Sequence, residues 1–308
     1  MRPFLAIDCS SIAYSVFYAD GLASLSDSKG VAVGVVYGFL QSIRVLGRTL
    51  GTNRMAFCFD HPTSFRKDVF PAYKGKRHKQ DDPEVKEAKR IMRQQVDALR
   101  TTVLPLLGFK NIYQQEGLEA DDLLAQLAIQ QPADLLLLVT RDKDLLQCLN
   151  SHVWFYDHQL SKCTTPQDVM KKYGVWPDKW AMVKAIGGCS TDEVPGIKGV
   201  GEVKAAQHIR GELRYTAKTA RSIREGAATI KRNIPLVTLP HARTRPLEVL
   251  EDKFSRKGYK KVVADYGMAS LMDRDWKEWK ALFRGELPHS PALKARVLKR
   301  HWGLTDGK

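Results

Sequence analysis

The chain has 308 residues, of which 44% are hydrophobic and 27% are charged, and this composition is ordinary for a globular protein. Lys and Arg outnumber Asp and Glu by 49 to 34, so the net charge is +15, which favours binding to polyanions such as phosphate backbones. The longest purely aliphatic run, residues 135–139, is far too short to span a membrane.

The first half of the chain alternates strand and helix signals. We predict strands at 4–8, 55–60, 109–114, 135–139 and 153–156, and helices at 11–18, 31–50, 119–129 and 142–149. Such alternation is typical of an α/β fold with a parallel sheet covered by helices on both faces. The leucine-rich run at 135–139 is too apolar for an edge, so we place it at the centre of the sheet.

A long insertion follows the strand at 55–60 and occupies residues 62–107. Its first part, 66–79, holds six Lys or Arg and one Asp, and its second part, 84–107, reads as a helix. A charge run of this kind is commonly just a solvated face. Here Phe65, Phe70 and Tyr73 lie among the cations, a mixture that suits stacking on bases and gripping phosphates.

The strand signal fades after residue 165, where we place a domain boundary. Helices are predicted at 166–173 and 179–186, followed by a glycine-rich hairpin at 194–201 that leads into another helix. Residues 211–308 are basic and mostly helical, and whether 240–308 packs on this second region or stands apart is left open. The predicted domains are therefore 1–165 and 166–308.

Eight carboxylates fall where a parallel sheet would gather them, because ligands bind beyond the carboxyl ends of its strands. They are Asp8, Asp60, Glu119, Asp121, Asp122, Asp142, Asp144 and Asp192. Glu119 and Asp122 are three residues apart and share a helix face, and acids there also complement the helix dipole. Asp121 points elsewhere unless the helix begins at it. The whole set predicts hard divalent cations, which take oxygen ligands.

The glycine hairpin has a separate predicted role. Its glycines let the backbone approach a phosphate closely, and the helix after it presents free N–H groups to an anion. Lys198 and Lys204 would add phosphate contacts. The plainer alternative is an ordinary helix–turn–helix connection.

Three ordered motifs resemble the 5′-nuclease, or flap endonuclease, family. They are Gly117-Leu-Glu-Ala-Asp-Asp, Thr140-Arg-Asp-Lys-Asp and Asp192-Glu-Val-Pro-Gly-Ile-Lys-Gly-Val-Gly, and the run Phe65-Arg with Tyr73-Lys and Arg77 resembles the family's helical arch. The resemblance covers roughly residues 4–210. It implies a PIN-like α/β domain with an all-α helix–three-turn–helix module that binds DNA.

The same resemblance implies a metal-dependent, structure-specific 5′-nuclease, with both exonuclease and flap endonuclease activity, that uses two Mg²⁺ or Mn²⁺ ions. Asp8, Asp60, Glu119, Asp121 and Asp122 would hold the first ion, and Asp142, Asp144 and Asp192 the second. Lys74 and Arg77 would steady the scissile phosphate, so that Asp8, Lys74 and Arg77 take part in catalysis. The implied nucleic-acid contacts are Arg66, Tyr73, Lys74, Lys76, Arg77, Gly196, Lys198, Gly199, Gly201 and Lys204. The hairpin would also hold K⁺.

One position departs from the family pattern, which usually reads Gly-Asp-x-x-Asp-Asn before the hairpin. This chain has Cys189 in place of the first Asp and Glu193 in place of the Asn. A thiol is a poor ligand for Mg²⁺, so we hypothesise a weakened second metal site.

The implied substrates are DNA with a 5′ flap or a free 5′ end and RNA/DNA hybrids, processed by a monomer during replication or repair, with replication proteins as further partners. A DNA-junction binding protein with weakened catalysis and a PIN-type ribonuclease remain as alternatives. The five cysteines are scattered and form no Cys-x-x-Cys pair, which is typical of reduced thiols in the cytoplasm, or in the host cytoplasm for a viral chain.

Overall fold

The computed structural model describes residues 2–19, 21–22, 25–75, 82–273 and 275–287. Its centre is a six-stranded sheet in the order β3-β2-β1-β4-β5-β6. The strands are β1 (Phe4–Asp8), β2 (Met55–Cys58), β3 (Ile112–Tyr113), β4 (Leu136–Val139), β5 (Val153–Asp157) and β6 (Lys162–Thr164). The first five run parallel and β6 returns antiparallel at one edge. The predicted α/β class is confirmed, with the leucine-rich β4 beside β1 at the centre.

Helices cover both faces of this sheet. On one face lie α1 (Cys9–Phe17) and α2 (Gly34–Leu50), and the apolar side chains of β1 that alternate toward them include Leu5 and Ile7. On the other face α6 (Ala120–Gln130) packs on Phe4 and Ala6 of the same strand. Successive residues of the strand thus contribute their side chains to two separate cores, because these side chains point to opposite faces of the sheet.

The insertion after β2 folds into α3 (Arg66–Val69) and, beyond it, a continuous helical rod. The rod consists of α4 (Pro83–Ala98), a π-helical turn (Leu99–Val103) and α5 (Leu104–Leu107). Gln95 is buried in this rod, and its Oε1 accepts hydrogen bonds from Val35 N at 2.9 Å and Val36 N at 3.3 Å. These N–H groups belong to the first turn of α2 and lack helical partners, so Gln95 fixes the rod to the body of the protein.

A helical module follows β6 and packs on the α6 face of the sheet. It comprises α7 (Pro166–Tyr173), α8 (Trp180–Gly187), a short β7–β8 ribbon (Gly188–Cys189 and Val194–Pro195), α9 (Glu202–Ile209), α10 (Lys218–Glu225) and α11 (Ala227–Val237). Trp180 is fully buried between module and sheet, and its indole N–H donates to Lys143 O at 2.7 Å. Module and sheet therefore share one hydrophobic core.

The last described helices pack on the opposite side of the molecule. They are α12 (Arg256–Asp265), α13 (Ala269–Asp273) and α14 (Trp276–Arg284). Tyr259 and Trp279 are fully buried in the core that contains α2 and β1. Residues 256–284 thus pack into the first core, while the division into 1–165 and 166–308 stays a prediction. None of the helices in the described ranges is long and apolar enough to cross a bilayer.

The predicted elements are present with shifted boundaries. The segment at 142–149 is a 3₁₀ helix (Lys143–Cys148) where an α-helix was predicted, and the strand predicted at 109–114 is reduced to two residues. Strand β6 was not predicted at all. An edge strand buries few side chains, so its sequence carries little periodic signal.

Candidate metal and nucleic-acid site

The carboxyl edge of the parallel strands opens into a cleft of about 690 Å³. Asp8 is the last residue of β1, Asp60 lies just beyond β2, and Asp142 lies beyond β4, and they meet because parallel strands end at the same edge. Asp121 enters the same cleft from the first turn of α6. Glu119 also lines this cavity, so five of the eight predicted acids meet there.

Repulsion between these carboxylates makes it less favourable for each of them to carry a negative charge. Burial and the neighbouring charges of Asp60 and Asp142 raise the pKa of Asp8 to about 7. Burial, followed by the charges of Asp142 and Asp8, raises the pKa of Asp121 well above its usual range, while Lys74 opposes this. Like charges that are crowded and desolvated favour protonation unless a cation compensates them.

Each strand-end acid is also fixed in place by hydrogen bonds. Asp8 accepts a hydrogen bond from Ser11 N at 2.9 Å and another from Thr140 Oγ1 at 2.8 Å. The first of these bonds caps the N-terminus of α1. Asp60 accepts from Ala120 N at 2.8 Å and from the Ser10 hydroxyl. The donors come from neighbouring elements, so the acids are held in a fixed arrangement around the cleft.

Lys74 bridges two acids at the rim of the cleft. Its Nζ lies 2.7 Å from Glu119 Oε2 and 3.5 Å from Asp192 Oδ1, and its backbone N–H donates to Asp192 O at 3.0 Å. Tyr73 is buried and donates its hydroxyl to Glu119 Oε2 at 3.0 Å. Lys74 has φ +51°, a strained conformation for a non-glycine residue that is often found at functional sites.

Arg66 and Asp122 lie apart from the cleft and require a correction. The Arg66 guanidinium donates to both Asp122 oxygens, at 2.8 and 2.7 Å, and both side chains are almost fully buried. Burial alone would raise the pKa of Asp122, but these hydrogen bonds lower it below its usual value. Asp122 is therefore not positioned as a metal ligand, nor Arg66 as a nucleic-acid contact. Tyr73 is likewise too buried to stack on a base.

A second group of ligands lies next to the hairpin. One oxygen each of Asp144 and Asp192 and the sulfur of Cys189 lie within 4.8 Å of one another, and all three side chains are buried. Lys184 Nζ lies 3.0 Å from Asp144 Oδ1 and 3.4 Å from Glu202 Oε1. Burial and Asp142 raise the pKa of Asp144 to about 6, with Lys184 opposing. Burial and the two aspartates raise the pKa of Cys189 to about 11.

The hairpin presents its glycines outward. Ile197 and Val200 are buried against the module, whereas Lys198, Gly199, Gly201 and Lys204 are exposed. Gly199 has φ +76°, and Gly201 forms the N-terminal boundary of α9. At Gly196 a Cβ atom would lie 2.2 Å from the backbone of Gly187, so this position requires glycine. Lys204 Nζ donates to Gly199 O at 3.0 Å.

Some residues of the site were missed from the sequence. Arg93 and Arg100, seven residues apart on the helical rod, line the same cleft together with Asp97, and their spacing was the available signal. Thr140 orients Asp8, and Lys184 pairs with Asp144. Thr140 begins a motif that was interpreted through its aspartates alone, and nothing in the local pattern marks Lys184. Lys76 and Arg77, two predicted DNA contacts, lie outside the described residues.

The donor chemistry of the cleft fits a hard divalent cation. Asp8, Asp60, Asp121 and Asp142 offer carboxylate oxygens, which Mg²⁺ and Mn²⁺ prefer. The cleft also has room for water and a phosphate, and such ions keep several waters when bound. The group at Asp144 mixes oxygen with sulfur and so differs in kind.

Comparison with known proteins agrees with this geometry. A family model for the 5′-3′ exonuclease N-terminal, resolvase-like domain matches residues 3–174. The 5′-3′ exonuclease of Aquifex aeolicus is 32% identical over 213 residues, which cover 68% of this chain and 70% of that one. DNA polymerase I of Bacillus caldotenax is 31% identical over 217 residues, but these span only 23% of the polymerase.

Solved structures share the fold. The T5 5′-exonuclease with bound zinc ions superposes with a TM-score of 0.66 at 19% identity, covering 78% of this chain and 90% of that one. The catalytic core of Rad2 in complex with DNA substrate gives a TM-score of 0.54 at 14% identity, with 92% of each chain covered.

An α/β sheet with an acidic cleft at its carboxyl edge, joined to a hairpin module, is the architecture of this chain, and its fold is that of the T5 5′-exonuclease. The family model covers more than half of the chain, and the exonuclease relative is matched over most of its length. This chain belongs to the 5′-3′ exonuclease family.

Proposed function

We propose that this protein is a metal-dependent, structure-specific 5′-nuclease that removes 5′ flaps and RNA primers from DNA. One observation carries the proposal: Asp8, Asp60, Asp121 and Asp142 converge in one cleft, and burial and mutual repulsion raise the pKa of Asp8 to about 7. A cluster of this kind costs free energy unless divalent cations neutralise it, and such clusters suit cleavage of phosphodiesters.

The proposed cofactor is Mg²⁺ or Mn²⁺, held by the cleft acids with Glu119 at the rim. Bound divalent cations would activate water and stabilise the leaving oxygen of the phosphodiester. Ser10, Ser11 and Thr140 hold Asp8 and Asp60 in orientation before any ion arrives. The acids therefore need little reorganisation when they bind, which favours electrostatic stabilisation of the transition state.

Lys74 is the residue best placed to contact the reacting phosphate. Its ammonium already lies between Glu119 and Asp192, so a phosphate entering beside the acids would meet a positive charge at the rim. Arg93 and Arg100 also line the cleft and would attract the same backbone. In this proposal Lys74 stabilises charge that develops on the phosphate, with Arg77 in the same role as the family resemblance implies.

The hairpin would hold the duplex part of the substrate. Lys198, Gly199, Gly201 and Lys204 form an exposed edge in which backbone N–H groups at the start of α9 stand beside two cations. Contacts of this type fix the register of a duplex without reading its sequence. The proposed partners are DNA with a 5′ flap or free 5′ end and RNA/DNA hybrids, together with replication proteins, and K⁺ would bind at the hairpin backbone.

A cleavage experiment tests this proposal. Purified protein is incubated with a 5′-labelled flap duplex in Mg²⁺, in Mn²⁺ and in EDTA, with an Asp121→Asn variant as the inactive control. We expect short labelled products that require metal and Asp121. Tight binding without cleavage in either metal would overturn the nuclease proposal and favour a junction-binding protein.

A further inference from the structure

Cys189 occupies an unusual place beside the cleft. It ends strand β7, is buried, and contacts Thr191 Oγ1 at 3.0 Å. Its sulfur and one oxygen each of Asp144 and Asp192 lie within 4.8 Å of one another, which is the spacing of ligands around a single ion. Cys189 is the cysteine of this ligand group, and Cys9, Cys58, Cys148 and Cys163 lie outside it.

A second feature indicates that this group is built for a cation. Asp144 is 7% exposed, and within the described part of the chain no donor makes a hydrogen bond to its Oδ1. Lys184 Nζ forms an ion pair with that oxygen at 3.0 Å. A metal ion would give this buried oxygen a directional bond in addition to the ion pair.

The formal charges also favour a cation. Two carboxylates and one thiolate give −3, and the ammoniums of Lys184 and Lys74, beside Asp144 and Asp192, bring the sum to −1. Glu202 Oε1 lies 3.4 Å from the Lys184 ammonium, so Lys184 keeps a partner if Asp144 turns toward a metal. The group therefore keeps a net negative charge that a divalent ion would offset.

We propose that Asp144, Cys189 and Asp192 form a site for a thiophilic divalent cation of the Zn²⁺, Co²⁺ or Cd²⁺ type in preference to Mg²⁺. A soft thiolate selects such ions, whereas carboxylates and water alone suit Mg²⁺. On binding, the S–H bond of Cys189 breaks, a sulfur–metal bond forms, and the proton passes to solvent. This inference deepens the proposed function, since it assigns different ions to the two parts of one active site.

The test measures binding and not cleavage. Metal-free protein is titrated with Cd²⁺ without added thiols, and the ultraviolet thiolate-to-metal charge-transfer absorption is recorded. We expect a band that saturates at one equivalent and persists in a large excess of Mg²⁺. Cys189→Ser should lose the band, while Cys148→Ser, which removes a half-buried thiol elsewhere, should keep it. A wild-type protein without the band, or a band unchanged in Cys189→Ser, would overturn the proposal.

Cys189→Asp guards against a trivial explanation. It keeps the formal charge of the site but replaces sulfur by oxygen, and circular dichroism verifies that each variant is folded. We expect Cys189→Asp to bind Cd²⁺ without showing the absorption band. An excess of Mg²⁺ should then displace the bound Cd²⁺ from this variant. If it retains Cd²⁺ against Mg²⁺ as well as the wild type does, the thiol does not set the preference. Failure of the flap-cleavage experiment would leave these spectra unaffected, so the two proposals are tested separately.

Discussion

The Arg66 guanidinium and the Asp122 carboxylate form a pair joined by two hydrogen bonds beside the acidic cleft, at 2.8 and 2.7 Å. The same carboxylate accepts from Glu119 N at 3.1 Å and from His241 N at 2.8 Å. One buried acid thus joins the insertion, the start of α6 and the segment after α11. Asp121, the preceding residue, faces the opposite way into the cleft.

Adjacent residues should therefore give opposite phenotypes. Asp122→Asn leaves the buried Arg66 charge without its partner and should lower the free energy of unfolding by about 3–5 kcal/mol. Asp121→Asn relieves repulsion and should leave stability equal or higher, while cleavage falls on the order of 10²-fold or more. Urea unfolding and flap-cleavage rates measured on both variants check this. Equal loss of stability in the two would contradict the assignment.

Lys74→Ala should slow cleavage more than it weakens binding. Removing a cation that stabilises developing charge costs about 10²–10³ in kcat, whereas DNA affinity rests on many phosphate contacts. The matched control is Lys67→Ala, which removes an exposed cation that also lines the cleft. Single-turnover rates and binding isotherms separate the two effects. A loss of affinity alone would make Lys74 a simple phosphate grip.

The metal-free protein should lose stability as the pH rises. The pKa of Asp8 is about 7 in the folded protein against 3.8 when unperturbed, so the folded state holds a proton that the unfolded state releases. This contribution is complete at low pH and is lost as the pH rises through about 7. Urea unfolding in EDTA between about pH 5 and about pH 8 should show a smaller decline for Asp8→Asn than for the wild type. If the stability of both proteins declined equally with pH, the raised pKa of Asp8 would be refuted.

Cys189→Asp should lower the Mg²⁺ concentration needed for half-maximal cleavage. The substitution gives the group at Asp144 and Asp192 a third hard ligand, which Mg²⁺ prefers to sulfur. A Mg²⁺ titration of cleavage by the two proteins measures the change. Cys148→Ser serves as the control for loss of a thiol, and an unchanged titration curve for Cys189→Asp would count against a weakened site.

Lys198→Ala should weaken DNA binding uniformly across sequences. An exposed lysine at a phosphate contact adds about one released counterion, so the slope of log affinity against log salt should decrease by about one. Lys257→Ala removes an equally exposed cation from α12, on the far side of the sheet, and should leave the slope unchanged. If both variants gave the same slope, the hairpin would not be part of the DNA-binding interface.

The sequence by itself determined the sheet and the gathering of the acids. Parallel strands place their carboxyl ends at one edge, so Asp8, Asp60 and Asp142 had to meet once strand and helix signals alternated. The charge balance and the exposed lysines of the hairpin could also be predicted from the sequence, because both follow from local composition and turn geometry.

Only the tertiary structure decided which acid does what. Helical spacing put Glu119 and Asp122 on one face, yet Asp122 turns to Arg66, because burying that guanidinium requires an opposite charge nearby. Lys184 reaches Asp144 from a helix about forty residues away in sequence, and Cys189 approaches both aspartates through a two-residue strand. Pairings over such separations depend on how the elements pack, and local patterns do not encode them.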